Sequence, residues 1–120
     1  MYDRSERIGE QLQQQIAALL REVKDPGVQG LLTITDLNLS RDRKSAVVFY
    51  SVLGTKAQRE STEKSLPRVA PFLRHQLRER LSLRIIPKIE FEYDPTPERA
   101  QRIEKILSDI ENEQGKPPSD

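Results

Sequence analysis

The sequence predicts an α+β domain in which helices cover one face of a small three-stranded sheet. Three observations point to this class. Apolar residues recur at helical spacing in residues 5–23, 56–66, 71–82 and again after Thr96. They alternate at strand spacing in residues 32–39 and, on both parities or one, in 45–53 and 85–93. Finally, the second and third strand patterns are separated by roughly 30 residues of helical pattern, the length of a crossover connection.

Each element has its own local signature. In residues 5–23, Ile8, Leu12, Ile16, Leu19, Leu20 and Val23 form one apolar stripe, with Ser5 placed as N-cap. Lys24-Asp25-Pro26-Gly27 ends that helix, because proline disfavours helical geometry at Asp25. The first strand, Leu32 to Leu39, switches parity between Ile34 and Leu37, which predicts a β-bulge near Thr35-Asp36. Ser40 to Lys44 is a polar turn, and the second strand, Ser45 to Leu53, completes an antiparallel hairpin.

Residues 56–66 begin a helix that Pro67 and Pro71 are expected to break, each removing an amide donor. A new helix is expected from Pro71 to Ser82, with Leu73, Leu77 and Leu81 on its buried side. The third strand is expected over Ile85 to Tyr93. A last helix is capped by Thr96-Pro97, with Ile103, Ile106, Leu107 and Ile110 as its apolar stripe. Residues 1–113 thus read as one domain and residues 114–120 as a polar tail.

Charge is distributed unevenly along the chain. Arg68, Arg74, Arg78, Arg80, Arg84 and Lys88 face a single acid, Glu79, a local charge of +5 in a protein of net charge +1. Residues 89–120 carry −5 in compensation. A segregated positive field of this kind suits a phosphate backbone. Arg74 and Arg78 lie four apart beside the leucine stripe, where like charges repel by about 0.2–0.5 kcal/mol, which favours an external anion. They and Arg84 are the primary candidates for RNA contact, supported by Arg68, Arg80 and Lys88. Arg41, Arg43 and Lys44 in the hairpin turn form a second candidate area.

Other chemistries find little support. The chain has no cysteine and one histidine, His75, and lacks the phosphate-binding glycine motifs. Catalytic residues, a metal and a cofactor are therefore not expected. Glu90, Glu92 and Asp94 read as a solvated strand face rather than a cation site. Gly27-Val28-Gln29-Gly30 spells G-x-x-G, but it joins a helix to a strand without a basic residue between the glycines, so it reads as a turn and not as an RNA clamp. Phe49 and Tyr50 fall on opposite sheet faces and cannot form a paired stacking platform. No apolar run is long enough for a membrane helix and the N-terminus lacks the build of a signal peptide, so an intracellular, cytoplasmic location without membrane contact is expected.

Lys24-Asp25-Pro26, Ser40-Arg41-Asp42, Phe72-Leu73-Arg74, and Leu83-Arg84-Ile85-Ile86-Pro87 leading to Phe91-Glu92-Tyr93-Asp94 occur in an order and spacing that resembles ribosome-binding factor A, the bacterial small-subunit assembly factor. The resemblance covers the chain up to its tail. It implies a type II KH-like fold in which a helix kink replaces the glycine loop. Val69-Ala70-Pro71 stands here where the family has Ala-x-Gly. It further implies binding to the free 30S subunit and its 16S rRNA, assistance in late rRNA maturation, and importance in the cold. A monomer is expected, and contact with ribosomal proteins stays open. The competing expectation is an adaptor that carries an acidic protein partner on its basic helical face.

Overall fold

A computed structural model describes residues 4–115 of the chain. Its elements are α1 (Arg4–Glu22), β1 (Leu31–Leu39), β2 (Ser45–Leu53), α2 (Lys56–Arg80), β3 (Lys88–Tyr93) and α3 (Thr96–Gly115). Of the expected tail, Gln114 and Gly115 belong to α3, and residues 116–120 lie outside the described residues. Ser5 is inside α1 rather than at its cap, and its hydroxyl instead accepts hydrogen bonds from Arg43.

The strand order is β1-β2-β3, with β1 antiparallel and β3 parallel to β2. The parallel pairing follows from the long helical crossover between them. The predicted bulge lies between Ile34 and Asp36, so Thr35 is the extra residue. Its consequence is visible in the register. Leu32 and Ile34 oppose Val52 and Tyr50, while Leu37 and Leu39 oppose Val48 and Ala46. All four β1 residues thereby face the same side as the buried side chains of β2. Without the extra residue, one pair would turn to the other face.

Helices α1 and α2 cover that side. Leu12, Ile16 and Leu19 of α1 and Leu66, Leu73 and Leu77 of α2 are fully buried there, with Val69 nearly so. Fully burying each such side chain contributes about 1.5–3 kcal/mol. Thr55 begins α2 with a capping box, its hydroxyl accepting from Gln58 N while the Gln58 side chain accepts from Thr55 N.

One expectation fails in α2. The helix runs unbroken from Lys56 to Arg80 with Pro67 and Pro71 inside it. The two expected helices are one. Each proline removes a ladder bond, to the Glu63 and Pro67 carbonyls respectively, at a cost of about 3 kcal/mol relative to alanine. Leu66, Val69, Leu73 and Leu77 nevertheless stay in helical phase across both prolines, and their burial outweighs the lost bonds. Both prolines lie on the exposed side, which spares the core any clash.

The third strand also starts later than expected, at Lys88. Pro87 is buried and offers no donor to the ladder, so residues 81–87 form an irregular connection anchored by Leu83 and Ile86, while Ile85 is exposed. In α3 the apolar stripe is not covered. Ile103, Ile106, Leu107 and Ile110 remain 58%, 56%, 58% and 44% exposed. The helix is instead held at its first turn, where Glu98 accepts from Arg59 (2.6 Å), Arg102 (3.1 Å) and the Tyr93 hydroxyl (2.8 Å).

The bulge is directly testable. Deleting Thr35 should force one apolar pair of β1 out of the core and lower stability by roughly 3–6 kcal/mol, two large side chains' worth of burial. Thr35→Ala, which loses only the hydrogen bond to Asp94, should cost no more than about 1.5 kcal/mol. Urea unfolding of both variants checks this, and equal losses would contradict the register argument.

Candidate nucleic-acid interface

The order of burial along α2 decides where its cations go. With Leu73 and Leu77 inward, Arg74, His75 and Arg78 flank a groove between α2 and β3 whose other wall includes Lys88. The groove has a volume of about 770 Å³. Its floor is aromatic: Tyr50 packs edge-on against Phe91 and Tyr93, with ring centroids 6.2 and 5.6 Å away. Burial pushes the Tyr50 hydroxyl up to about 12, helped by Glu63 and Tyr93, so that hydroxyl stays neutral at physiological pH. Charge is graded along the groove. Arg78 and Lys88 mark the end where α2 finishes and β3 begins, and Glu63 and Glu92 mark the other.

The nine sequence-predicted cations fall into distinct situations. Arg68 and Arg80 are paired with α1 and the turn after it, Arg68 to Asp25 at 3.1 Å and Arg80 to Glu22 at 3.3 Å. They tie α2 to the end of α1. Arg74 is half-buried and donates to the Ile86 carbonyl at 3.3 Å, which holds the 81–87 connection against α2, while its Nε has no partner among the described residues. Lys88 lies 3.8 Å from Glu90 with both side chains largely in solvent, a pairing worth little. Arg41, Lys44, Arg78 and Arg84 form no ion pair with any described residue.

The two basic segments, separated by more than twenty residues in sequence, meet in space. Lys88 pairs with Ser45 across the β2–β3 ladder, and its amide donates to the Lys44 carbonyl at 2.8 Å. The hairpin turn therefore sits beside the start of β3. In that turn the one acid is occupied: Asp42 accepts from the Ser40 hydroxyl (2.7 Å) and the Lys44 amide (3.0 Å). Its neighbours Arg41, Arg43 and Lys44 form no ion pair with any described acid. Sequence reasoning missed Arg4, which joins Arg43 and Arg84 around a second cavity. No linear signal places the first turn of α1 beside the hairpin.

The G-x-x-G segment is a turn, as its context predicts. Its backbone is engaged by α2: the Thr62 hydroxyl accepts from Gln29 N and donates to Gln29 O, and the Ser61 hydroxyl donates to Gly27 O. Gly27 approaches Ser65 too closely for any side chain, and Gly30 takes φ 72°. Among Glu90, Glu92 and Asp94, the last is taken by Thr35 and by the Thr96 amide at the start of α3. The described residues hold no cluster fit for a metal, and no helix among them is long and apolar enough to cross a membrane.

The family model for ribosome-binding factor A matches residues 4–107, all of the fold except the end of α3. The chain belongs to the ribosome-binding factor A family. A family member from Thioalkalivibrio sulfidiphilus is 40% identical over 107 residues, covering 88% of this chain and 82% of that one. Another from Staphylococcus saprophyticus is 41% identical over 108 residues, covering 89% and 94%. Among solved structures, the crystal structure of ribosome-binding factor A from Thermus thermophilus matches with a TM-score of 0.64 at 25% identity, over 72% of this chain and 91% of that one. Coordinates of the Thermus thermophilus factor fitted into a cryo-EM map of its 30S complex match with a TM-score of 0.63 at 25% identity, over 74% and 93%. These likenesses establish the KH-like α+β fold that the residues resemble.

Four carboxylates around this framework are held below the ordinary range. Asp25 is lowered by the Gly27 amide and then Arg68, Asp42 by the Lys44 amide and Ser40, Asp94 by Thr96 and Thr35, and Glu98 by the Tyr93 hydroxyl and the charges of Arg59 and Arg102. A carboxylate with a lower pKa folded than unfolded contributes stability that is complete above its unfolded value, near pH 4, and is lost as pH falls through its folded value. Carboxylate titration should therefore leave the melting temperature nearly unchanged between about pH 8 and pH 5 and lower it below about pH 4. Asp94→Asn should lower the neutral-pH melting temperature and show a smaller acid loss than the parent. A thermal melt series across pH checks both, and an identical acid loss in the variant would contradict the assignment.

Proposed function

We propose that this protein is a non-catalytic assembly factor that binds the free 30S subunit through its 16S rRNA and assists late maturation of that RNA. The observation that carries this reading is the junction of the hairpin turn with the α2–β3 connection. There Arg41, Lys44, Arg78 and Arg84 lack acidic partners among the described residues, although the chain as a whole is almost neutral. Unpaired cations on a rigid frame bind phosphates with little reorganisation, and each contact releases condensed counterions. Family membership and the 30S complex of the Thermus thermophilus factor support the small subunit as the partner.

The roles divide by situation. Arg78, Arg84, Arg41 and Lys44 contact RNA phosphates, with Arg43 beside them and Lys88 at the groove mouth. Arg74 presents its remaining donors to the same groove while it holds the connection. Arg68 and Arg80 add to the field and serve mainly to hold α1 to α2. The protein acts as a cytoplasmic monomer, and its effect is greatest in the cold, where escape of rRNA from misfolded states is slowest.

Co-sedimentation tests this. The protein should pellet with free 30S subunits and much less with 50S subunits or 70S ribosomes. Its log affinity should fall linearly with log salt, with a slope of about −0.7 to −0.9 per phosphate contacted. Arg41→Glu combined with Arg78→Glu should weaken binding at least tenfold, about 1.4 kcal/mol, with an unchanged melting temperature. Arg99→Glu on the exposed side of α3 should have little effect. Salt-independent binding that ignores added rRNA would instead identify an adaptor for a protein partner.

A further inference from the structure

Arg4 of α1, Arg43 of the hairpin turn and Arg84 of the α2–β3 connection line one cavity of about 400 Å³, separate from the α2–β3 groove. They come from three segments that are remote in sequence. Ser82 completes the polar part of the lining, and Ile8 and Pro87 form apolar walls. None of the described residues lining the cavity is an acid, and none of the three guanidiniums forms an ion pair with a described carboxylate. The acid in the turn, Asp42, accepts from the Ser40 hydroxyl and the Lys44 amide.

Arg43 is also specifically placed. Its φ of 62° is the only positive value of a non-glycine residue among the described residues. A long side chain seldom occupies that region. The conformation closes the turn, with Arg43 N donating to Ser40 O at 2.9 Å, and sends the guanidinium back to α1. There Nε and one terminal nitrogen donate to Ser5 Oγ at 3.3 and 3.0 Å. Glycine would suit the backbone better; the arginine there instead places a guanidinium against α1.

We propose that this cup binds a single phosphate group, coordinated by Arg4, Arg43 and Arg84 together, and that on the ribosome the group is one phosphodiester of the rRNA backbone. The second clause rests on the function proposed above. Three guanidiniums that form no ion pair with a described carboxylate repel one another across a small cavity, and one tetrahedral oxyanion relieves all three repulsions at once. The apolar walls exclude water from one side and strengthen each contact. Arg78 and Arg41 grip the backbone elsewhere, so the cup would fix the register of one nucleotide rather than supply most of the affinity.

The single-phosphate geometry makes a distinctive quantitative claim. Counterion release counts phosphates neutralised, not arginines used. Removing all three cup arginines should therefore reduce the salt slope of RNA binding by only about 0.7–0.9, whereas three independent contacts would reduce it by about 2–3. The variants are Arg4→Gln/Arg84→Gln, both at exposed positions, and Arg43→Gly, which suits the backbone at φ 62°. Because one ligand needs all three groups, each variant should lose nearly as much affinity as the triple, about tenfold.

Inorganic phosphate and a short single-stranded oligoribonucleotide are titrated separately into the isotopically labelled full chain, followed by amide NMR. Both should shift amides in residues 4–8, 43–44 and 82–86 of the parent and neither should do so in Arg43→Gly. Cup shifts with phosphate and with oligonucleotide support the site itself, even if 30S pelleting fails and the functional reading falls. Absence of cup shifts with both probes overturns the site, even if Arg41→Glu/Arg78→Glu still abolishes 30S binding and the functional reading stands. Shifts with inorganic phosphate alone, or a slope change of 2–3 in the triple variant, overturn the single rRNA phosphodiester.

Discussion

The packing of α2 across the sheet fixes nearly everything else in this protein. Leu66, Val69, Leu73 and Leu77 keep one helical phase through two prolines and bury against Val48, Tyr50 and Ile89 of the sheet face. Once that stripe is inward, the angular positions of Arg74, His75 and Arg78 are determined at about 100° per residue. They have to line the groove beside β3. The helix end then delivers the connection at residues 81–87 against the hairpin turn, where Lys88 joins the ladder beside Ser45. A fold with only 35% hydrophobic residues needs the whole of this face. The bulge at Thr35 serves the same constraint, since it turns both halves of β1 toward α1 and α2.

Stability and recognition draw on the same set of cations but divide them. Arg68 and Arg80 meet Asp25 and Glu22 and hold α1 to α2, and Arg59 meets Glu98 to seat α3. These pairs lie on the sides of the domain where acids are available. At the turn Asp42 is engaged by Ser40 and the Lys44 amide, and Arg41, Lys44, Arg78 and Arg84 form no ion pair with any described residue, which under the proposed function leaves them to an external partner. The division explains how a chain of net charge +1 can carry a local field suited to RNA.

Much of this is legible in the sequence. The parity switch between Ile34 and Leu37 locates the bulge, because a strand's two-residue period allows no other way to bury both pairs. The long helical interval before Ile89 implies a parallel crossover. The helix-to-strand context of the G-x-x-G is enough by itself to mark a turn. Pro67 and Pro71 mislead because local donor loss is weighed without the phase of the flanking leucines, which is continuous across both. For α3, periodicity shows an apolar stripe but not whether anything covers it, and Ile103 to Ile110 are left open. Which arginines are consumed by partners depends on contacts between remote segments. No spacing rule could separate Arg80 from Arg84, or bring Arg4 to Arg43.

The central claim is that the junction of hairpin turn and α2–β3 connection faces the ribosome, while the G-x-x-G turn and the open face of the sheet do not. Hydrogen exchange of the protein, free and bound to purified 30S subunits, tests it most directly. Slowed exchange is predicted in residues 40–45 and 74–88 and at the start of α1, with Val28 to Gly30 unchanged. Protection confined to α3, or to the strand face that carries Val47, Phe49 and Glu90, with residues 74–88 unaffected, would contradict it.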